Sequence, residues 1–110
     1  GGPERVRQAF MAAAYVNAPL IVAEFAHKGV GCSGSIPYQT ILEECYNNET
    51  GWLAWEWGPG NTDCGEMDMT KDGTYNTLYG WGKEVAIDSK YGIKKTSRKT
   101  KFLQEIKIEN

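Results

Sequence analysis

The sequence has no long hydrophobic run and no excess of charge of either sign. No apolar run approaches the roughly 20 residues that a membrane-spanning helix needs, so we expect no membrane partner. Lys and Arg together number 12 against 14 for Asp and Glu, which gives a net charge of −2. A weakly acidic chain has no overall attraction for phosphate backbones, so nucleic acid is not an expected partner either.

Histidine and cysteine are also scarce. The chain has one His and three Cys, with no Cys-x-x-Cys pair, so we expect no metal site. Residues 29–34, Gly-Val-Gly-Cys-Ser-Gly, match the Gly-x-Gly-x-x-Gly spacing, but they carry no phosphate-binding Lys and do not open directly into a helix, because the next predicted helix begins at residue 37. A flavodoxin-like or Rossmann-type nucleotide domain is therefore disfavoured, and no cofactor is expected.

Periodicity and turn residues divide the 110 residues into alternating elements. Apolar residues at helical spacing predict helices over 3–17, 37–48 and 76–87, and short apolar runs predict strands over 20–26 and 51–57. Strands joined by helical crossovers are parallel, with the helices packed outside the sheet. The apolar run at 20–26 is typical of a strand that is buried on both faces, and a sheet of two strands alone cannot bury a strand in this way.

In parallel α/β sheets, functional residues lie at the C-terminal ends of strands. This rule selects Glu24 and His27 after the first strand, and Trp55 and Trp57 at the end of the second. A carboxylate beside indole rings suits sugar chemistry, because pyranose rings stack on Trp and a carboxylate stabilises an oxocarbenium-like centre. Each residue also has a structural explanation: an ion pair at the rim for Glu24, a hydrogen bond for His27 and core packing for the indoles.

Six short motifs follow one another along the chain: PLIVAEFAHK at 19–28, GWLAWEW at 51–57, GPGN at 58–61, EMDMT at 66–70, LYGWG at 78–82 and YGI at 91–93. In order and spacing they resemble the last part of glycoside hydrolase family 5 enzymes, with endo-β-1,4-mannanases nearest and cellulases next. The resemblance covers about residues 3 to 96.

The resemblance implies the C-terminal fragment of a TIM (β/α)8 barrel, because a complete barrel needs roughly 200 residues or more. Residues 3–17 would be its sixth helix, 20–26 its seventh strand and 37–48 its seventh helix, followed by strand eight and helix eight. The partial barrel would occupy residues 1–96, and residues 97–110 would form a basic, polar tail. The rest of a barrel, or a second copy of the chain, is the expected protein partner.

Site residues follow from the same resemblance. Glu24 matches the catalytic nucleophile, Trp55 the indole beneath the sugar at the cleavage site, and His27 a position near the substrate. Trp57 is a further expected sugar contact. The family's usual Gly-Glu-Phe-Gly has alanine at both glycine positions here, Ala23 and Ala26, and two methyl groups could crowd the turn.

The general acid/base has no match in this sequence. The family supplies it from an Asn-Glu pair ending the fourth strand, and Glu49, although it follows an Asn, belongs to the opposite end of the barrel. Retaining hydrolysis needs two carboxyls. We therefore expect the chain to supply the nucleophile for hydrolysis of a plant-cell-wall polysaccharide, β-mannan before cellulose, and to be inactive alone. The alternative is a non-catalytic remnant or carbohydrate-binding fragment.

Two of the three cysteines fall on loops that the barrel interpretation places on the active face. Cys32 and Cys64 are expected either as a disulfide between these loops or as free thiols. The disulfide would favour an extracellular setting, which also suits an enzyme of this family acting on polysaccharide. No segment of this sequence resembles a signal peptide.

Overall fold

The computed structural model of the chain describes residues 2–105. Its helices and strands alternate before a helical C-terminal region. In chain order they are α1 (Pro3–Tyr15), β1 (Ile21–Phe25), α2 (Tyr38–Asn47), β2 (Gly51–Ala54), α3 (Gly80–Lys83), α4 (Ile93–Thr96) and α5 (Lys101–Glu105). Short 3-10 turns lie at Val30–Cys32, Gly65–Met67 and Tyr75–Thr77, and a π-helical turn, Glu84–Asp88, continues α3.

The two long helices begin and end where local chemistry places them. Pro3 opens α1, where its missing N–H costs nothing, and Glu4 complements the positive end of the helix dipole. The helix ends before Asn17, whose φ of 50° is incompatible with continuation. In α2 the predicted stripe of Tyr38, Ile41, Leu42 and Cys45 is buried, which confirms the amphipathic interpretation.

The sheet within residues 2–105 has two strands, β1 and β2, which run parallel as predicted. Ile21 pairs with Gly51 and Phe25 with Ala54, with an irregularity in the register between these pairs. One face of the sheet packs on the helices, and the shared core includes Phe25, Leu42, Trp81 and Val85. The C-terminal ends of both strands therefore meet at one edge of the molecule.

The expectation that β1 is buried on both faces is wrong for this chain. Phe25 is the one buried residue of β1, and Ile21 is 61% exposed. Leu53 on β2 is exposed as well. The hydrophobic sequence is that of a strand between two layers, but the described residues supply helices on one side only.

The second strand and the third helix are shorter than the sequence predicts. Strand β2 ends at Ala54 rather than residue 57, because the chain then pairs with a later segment: Glu56 N donates to Met67 O, and Thr70 N donates to Trp57 O. The peptide bonds Trp55–Glu56 and Gly58–Pro59 are cis. Helix α3 starts at Gly80 rather than residue 76, since Tyr75–Thr77 forms its own turn.

Helix α3 and the chain after β2 approach each other closely and close one side of the core. A Cβ built on Gly82 would lie 2.4 Å from both Cα and O of Met69, so this position admits no side chain. Trp81, the neighbouring residue, is buried and donates its indole N–H to Met67 O at 3.0 Å. The segment 67–69 is thus fixed against α3 by both packing and hydrogen bonding.

The C-terminal region adds little to the core. The predicted tail, residues 97–110, includes α5, on which Phe102 and Leu103 are exposed, whereas residues 106–110 lie outside the described part of the chain. No helix among the described residues combines the length and hydrophobicity needed to cross a membrane.

Candidate active site

Glu24 and Trp55 lie at the same edge of the sheet. Glu24 is the penultimate residue of β1, and Trp55 directly follows β2. The two strand ends are joined by a hydrogen bond from Trp55 N to Phe25 O at 2.7 Å. Both side chains are exposed, Trp55 to 46%, so a carboxylate and an indole face are open to solvent on adjacent strand ends.

His27 is packed in an aromatic environment just beyond Glu24. Its ring stacks on Trp81, with centroids 6.1 Å apart and planes at 25°, and meets the edge of Tyr38 at 5.7 Å. Its Nε2 lies 3.8 Å from Glu66 Oε2. Nδ1 is buried and has no hydrogen-bond partner among the described residues. The ring is therefore fixed on its face and one edge by residues of three different elements.

Tyr38 in turn is held by a carboxylate of the π-helical turn. Its hydroxyl donates to Glu84 Oε2, and Trp81 packs against its ring at 5.6 Å. Burial, followed by this hydrogen bond and the negative charge of Glu84, raises the pKa of Tyr38 above its ordinary value. The phenol therefore stays neutral at physiological pH and serves as a wall for His27.

Trp57 projects from a loop that is closely hydrogen-bonded. Its indole N–H donates to Gly73 O at 2.7 Å, and the ring is still 42% exposed. Thr70 is fully buried; its hydroxyl donates to Trp57 O at 2.9 Å and accepts from Gly73 N at 2.9 Å. The structure thus orients Trp57 through its own loop, and Trp57 and Trp55 both expose indole surface.

A disulfide between Cys32 and Cys64 joins the loops after β1 and β2. The sequence left open a disulfide or two free thiols, and the structure has the disulfide. The same loops are linked by Lys28 and Glu66, whose charged atoms are 3.3 Å apart. Sequence reasoning missed Glu66 as a member of the site; its place two residues after Cys64 was the available signal.

Two further carboxylates, Asp68 and Glu49, differ in their position relative to the active edge, by which we mean the edge where the C-terminal ends of β1 and β2 lie. Asp68 is buried and accepts from the backbone N–H groups of Gly60 and Asn61 at 3.4 and 3.2 Å. Glu49 follows α2 and precedes β2, at the opposite end of the strands, as predicted. No cluster of metal-binding side chains occurs among the described residues. The arrangement can thus offer the exposed carboxylate of Glu24 and indole stacking surfaces to a sugar.

Comparison with known proteins agrees with this geometry. No family model matches the chain. A mannan endo-1,4-beta-mannosidase from Salipaludibacillus agaradhaerens is 30% identical over 79 residues, which are 72% of this chain and 25% of that protein.

Solved structures show the same likeness in three dimensions. The β-mannanase from Streptomyces thermolilacinus, crystallised with mannohexaose, matches with a TM-score of 0.81 and 26% identity, over 96% of this chain and 33% of that one. The mannanase catalytic domain from Streptomyces sp. SirexAA-E matches with a TM-score of 0.77 and 28% identity, over 91% and 31%.

The chain spans a quarter of the curated relative and about a third of each of these structures. The resemblance found in the sequence and the predicted fold class are therefore confirmed. The chain has the fold of a fragment of a TIM barrel and is similar in sequence and structure to β-mannanases.

Proposed function

We propose that this chain supplies the catalytic nucleophile to a retaining endo-β-1,4-mannanase. The observation that carries the proposal is the pair of Glu24 and Trp55 on adjacent strand ends, joined through Trp55 N and Phe25 O. A carboxylate that is exposed at the mouth of a parallel sheet, with an indole beside it, meets the two needs of glycoside cleavage: a nucleophile and a stacking surface.

The reaction follows from the roles of these groups. Glu24 attacks the anomeric carbon, the glycosidic C–O bond breaks, and the departing oxygen takes a proton from a carboxylic acid on another strand of the barrel. Water, deprotonated by that same group, then attacks the anomeric carbon and releases Glu24. Trp55 stacks on the sugar at the cleavage point, and Trp57 and His27 contact the substrate beside it.

The substrate class rests on the relatives. One is a mannan endo-1,4-beta-mannosidase, and another was crystallised with mannohexaose, so β-mannan is the substrate we propose and β-glucan the next. The disulfide between Cys32 and Cys64 supports an extracellular setting, because such bonds persist in oxidising compartments.

A complete barrel tests the catalytic role. In a chimera, residues 2–105 replace the matching third of the S. thermolilacinus β-mannanase, which provides the other strands. Glu24→Gln should lower kcat/KM on β-mannan by about 10³-fold or more, as expected for loss of a nucleophile. Glu49→Gln, at the opposite end of the strands, is the matched control and should stay within about two-fold. A Glu24→Gln chimera that turns over mannan normally would exclude the nucleophile role.

The second candidate is a carbohydrate-binding fragment without catalysis. It is favoured by the exposure of the indoles of Trp55 and Trp57, which could stack on sugar whether or not hydrolysis occurs. The chain alone should be assayed on mannan and cellulose, and titrated with mannohexaose by tryptophan fluorescence. Binding without turnover, abolished in Trp55→Ala, would support the binding fragment; neither binding nor turnover would indicate a remnant.

A further inference from the structure

Two loops on the active edge are linked at two separate points. We name the residues after β1 the Cys32 loop (residues 26–36), and the residues that carry Cys64 the Cys64 segment (residues 64–67). The disulfide joins them at one point, with Cα atoms 5.2 Å apart. Glu66 joins them at the second, because its Oε2 lies 3.3 Å from Lys28 Nζ and 3.8 Å from His27 Nε2.

The Cys64 segment is firmly attached to the rest of the fold. Met67 O accepts from Trp81 Nε1 at 3.0 Å and from Glu56 N at 3.3 Å. Gly65 O accepts from the hydroxyl of Tyr79 at 3.0 Å. These bonds tie the segment to α3 and to the chain after β2, so it can act as the fixed side of the link.

The Cys32 loop is closed mainly on itself. Gly29 N donates to Ser33 O at 2.9 Å, and Ile36 N donates to His27 O at 3.0 Å. Such local bonds set the shape of the loop but do not fix its position over the active edge. The contacts that cross to the Cys64 segment are the disulfide and the carboxylate of Glu66.

The Cys64 segment contributes to the orientation of His27, together with Tyr38 on α2. The His27 ring stacks on Trp81, whose indole is bonded to Met67 O, and its Nε2 faces the carboxylate of the preceding residue, Glu66. Lys28 is 22% exposed and Glu66 62%, so water screens their attraction in part and the ion pair contributes modestly.

We infer that Glu66 is a positioning residue, which together with the disulfide clasps the Cys32 loop and sets His27 and Lys28 beside Glu24. The inference rests on the proposed function, in which His27 contacts the substrate. Because the ion pair and the disulfide hold the same two loops together, each favours formation of the other. Neutralising Glu66 therefore lowers the effective concentration of the Cys32 and Cys64 thiols toward each other.

This coupling is measured in the 110-residue chain itself, without turnover. The chain is equilibrated with glutathione: each protein disulfide takes up two electrons and two protons from two glutathiones, and yields two thiols and one glutathione disulfide. After acid quench and alkylation, mass spectrometry gives the oxidised fraction. In Glu66→Gln the equilibrium constant for disulfide formation should fall about two- to five-fold, the range of a partly exposed ion pair.

A matched control separates this effect from loss of surface charge. Asp88→Asn removes a carboxylate from another ion pair, Lys83–Asp88 at 4.0 Å, and should leave the equilibrium unchanged. Lys28→Gln should reproduce the effect of Glu66→Gln, and the double variant should add nothing further. At high salt the difference between wild type and Glu66→Gln should shrink.

A spectroscopic measurement completes the test. The chain has one His, so its imidazole protons give unambiguous NMR signals, which the rings of Trp81 and Tyr38 shift. These signals should move in Glu66→Gln and stay in place in Asp88→Asn. Unchanged signals and an unchanged equilibrium in Glu66→Gln, or equal changes in the control, would overturn the inference. Because no mannan is present, either result leaves the nucleophile role of Glu24 to its own experiment.

Discussion

Removing the bond between Cys32 and Cys64 should cost this chain a large share of its stability. The perturbation is the double variant Cys32→Ser/Cys64→Ala; alanine is used at the second site because Cys64 is 3% exposed and a buried hydroxyl there would add its own penalty. The third cysteine, Cys45, is left in place, so the core packing of α2 is untouched.

The magnitude follows from the length of chain that the disulfide closes. The two cysteines are 32 residues apart in sequence. Loop-closure entropy for a link of this span gives about 3.7 kcal/mol at 25 °C. A domain of this size has a total free energy of unfolding of about 5–15 kcal/mol, so the loss is substantial.

Urea unfolding followed by tryptophan fluorescence measures the loss. With a slope of about 1–3 kcal/mol per molar urea, the midpoint should fall by about 1–4 M. Reduced wild type should match the double variant, and reductant should leave the variant unchanged. A loss below about 1 kcal/mol, or free Cys32 and Cys64 thiols in the unreduced native chain, would refute the reasoning.

Three further outcomes are expected. Gly82→Ala should destabilise the chain by about 2–3 kcal/mol in urea unfolding, because its Cβ meets the Met69 backbone, whereas Gly65→Ala, with open space around it, should be tolerated. Burial, with the charge of Glu44 second, raises the pKa of Cys45 to about 11, so its native alkylation rate at pH 9 should be far below that of the unfolded chain. Because the pKa of Cys45 is higher in the folded chain than in the unfolded one, the neutral thiol contributes to the free energy of unfolding below about pH 9. This contribution is lost as the pH rises toward 11, which unfolding experiments across that range can check.

The order of elements could be predicted from the sequence because each depends on local signals. The stripe from Tyr38 to Cys45 follows the helical period. Pro3 marks the start of α1, and Pro19 lies just past its end. Glu24 and Trp55 were predicted at strand ends, and the structure has them there. Their catalytic and binding roles stay predictions.

What could not be predicted depends on pairing between distant segments. Strand β2 stops early because residues 56–57 bond to residues 67–70, and no periodicity in 51–57 signals that competition. Glu66 lies in a polar loop and its partner Lys28 is far away in sequence, so its place near Cys64 is the one local feature that distinguishes it from a solvated charge. The exposed face of β1 likewise depends on which neighbours are present rather than on its own residues.

The arrangement of side chains at the active edge and the exposure of apolar residues on the strands both depend on which parts of a barrel this chain contains. Three groups among the described residues contact His27: Trp81 and Tyr38 on the helical side and Glu66 on the loop after β2. Among the exposed apolar side chains, Ile21 and Leu53 lie on the strands themselves. In a (β/α)8 barrel the inner faces of the strands are covered by side chains that alternate strands around the whole barrel contribute. A segment of two strands can therefore carry a locally formed site while its strands still require partners.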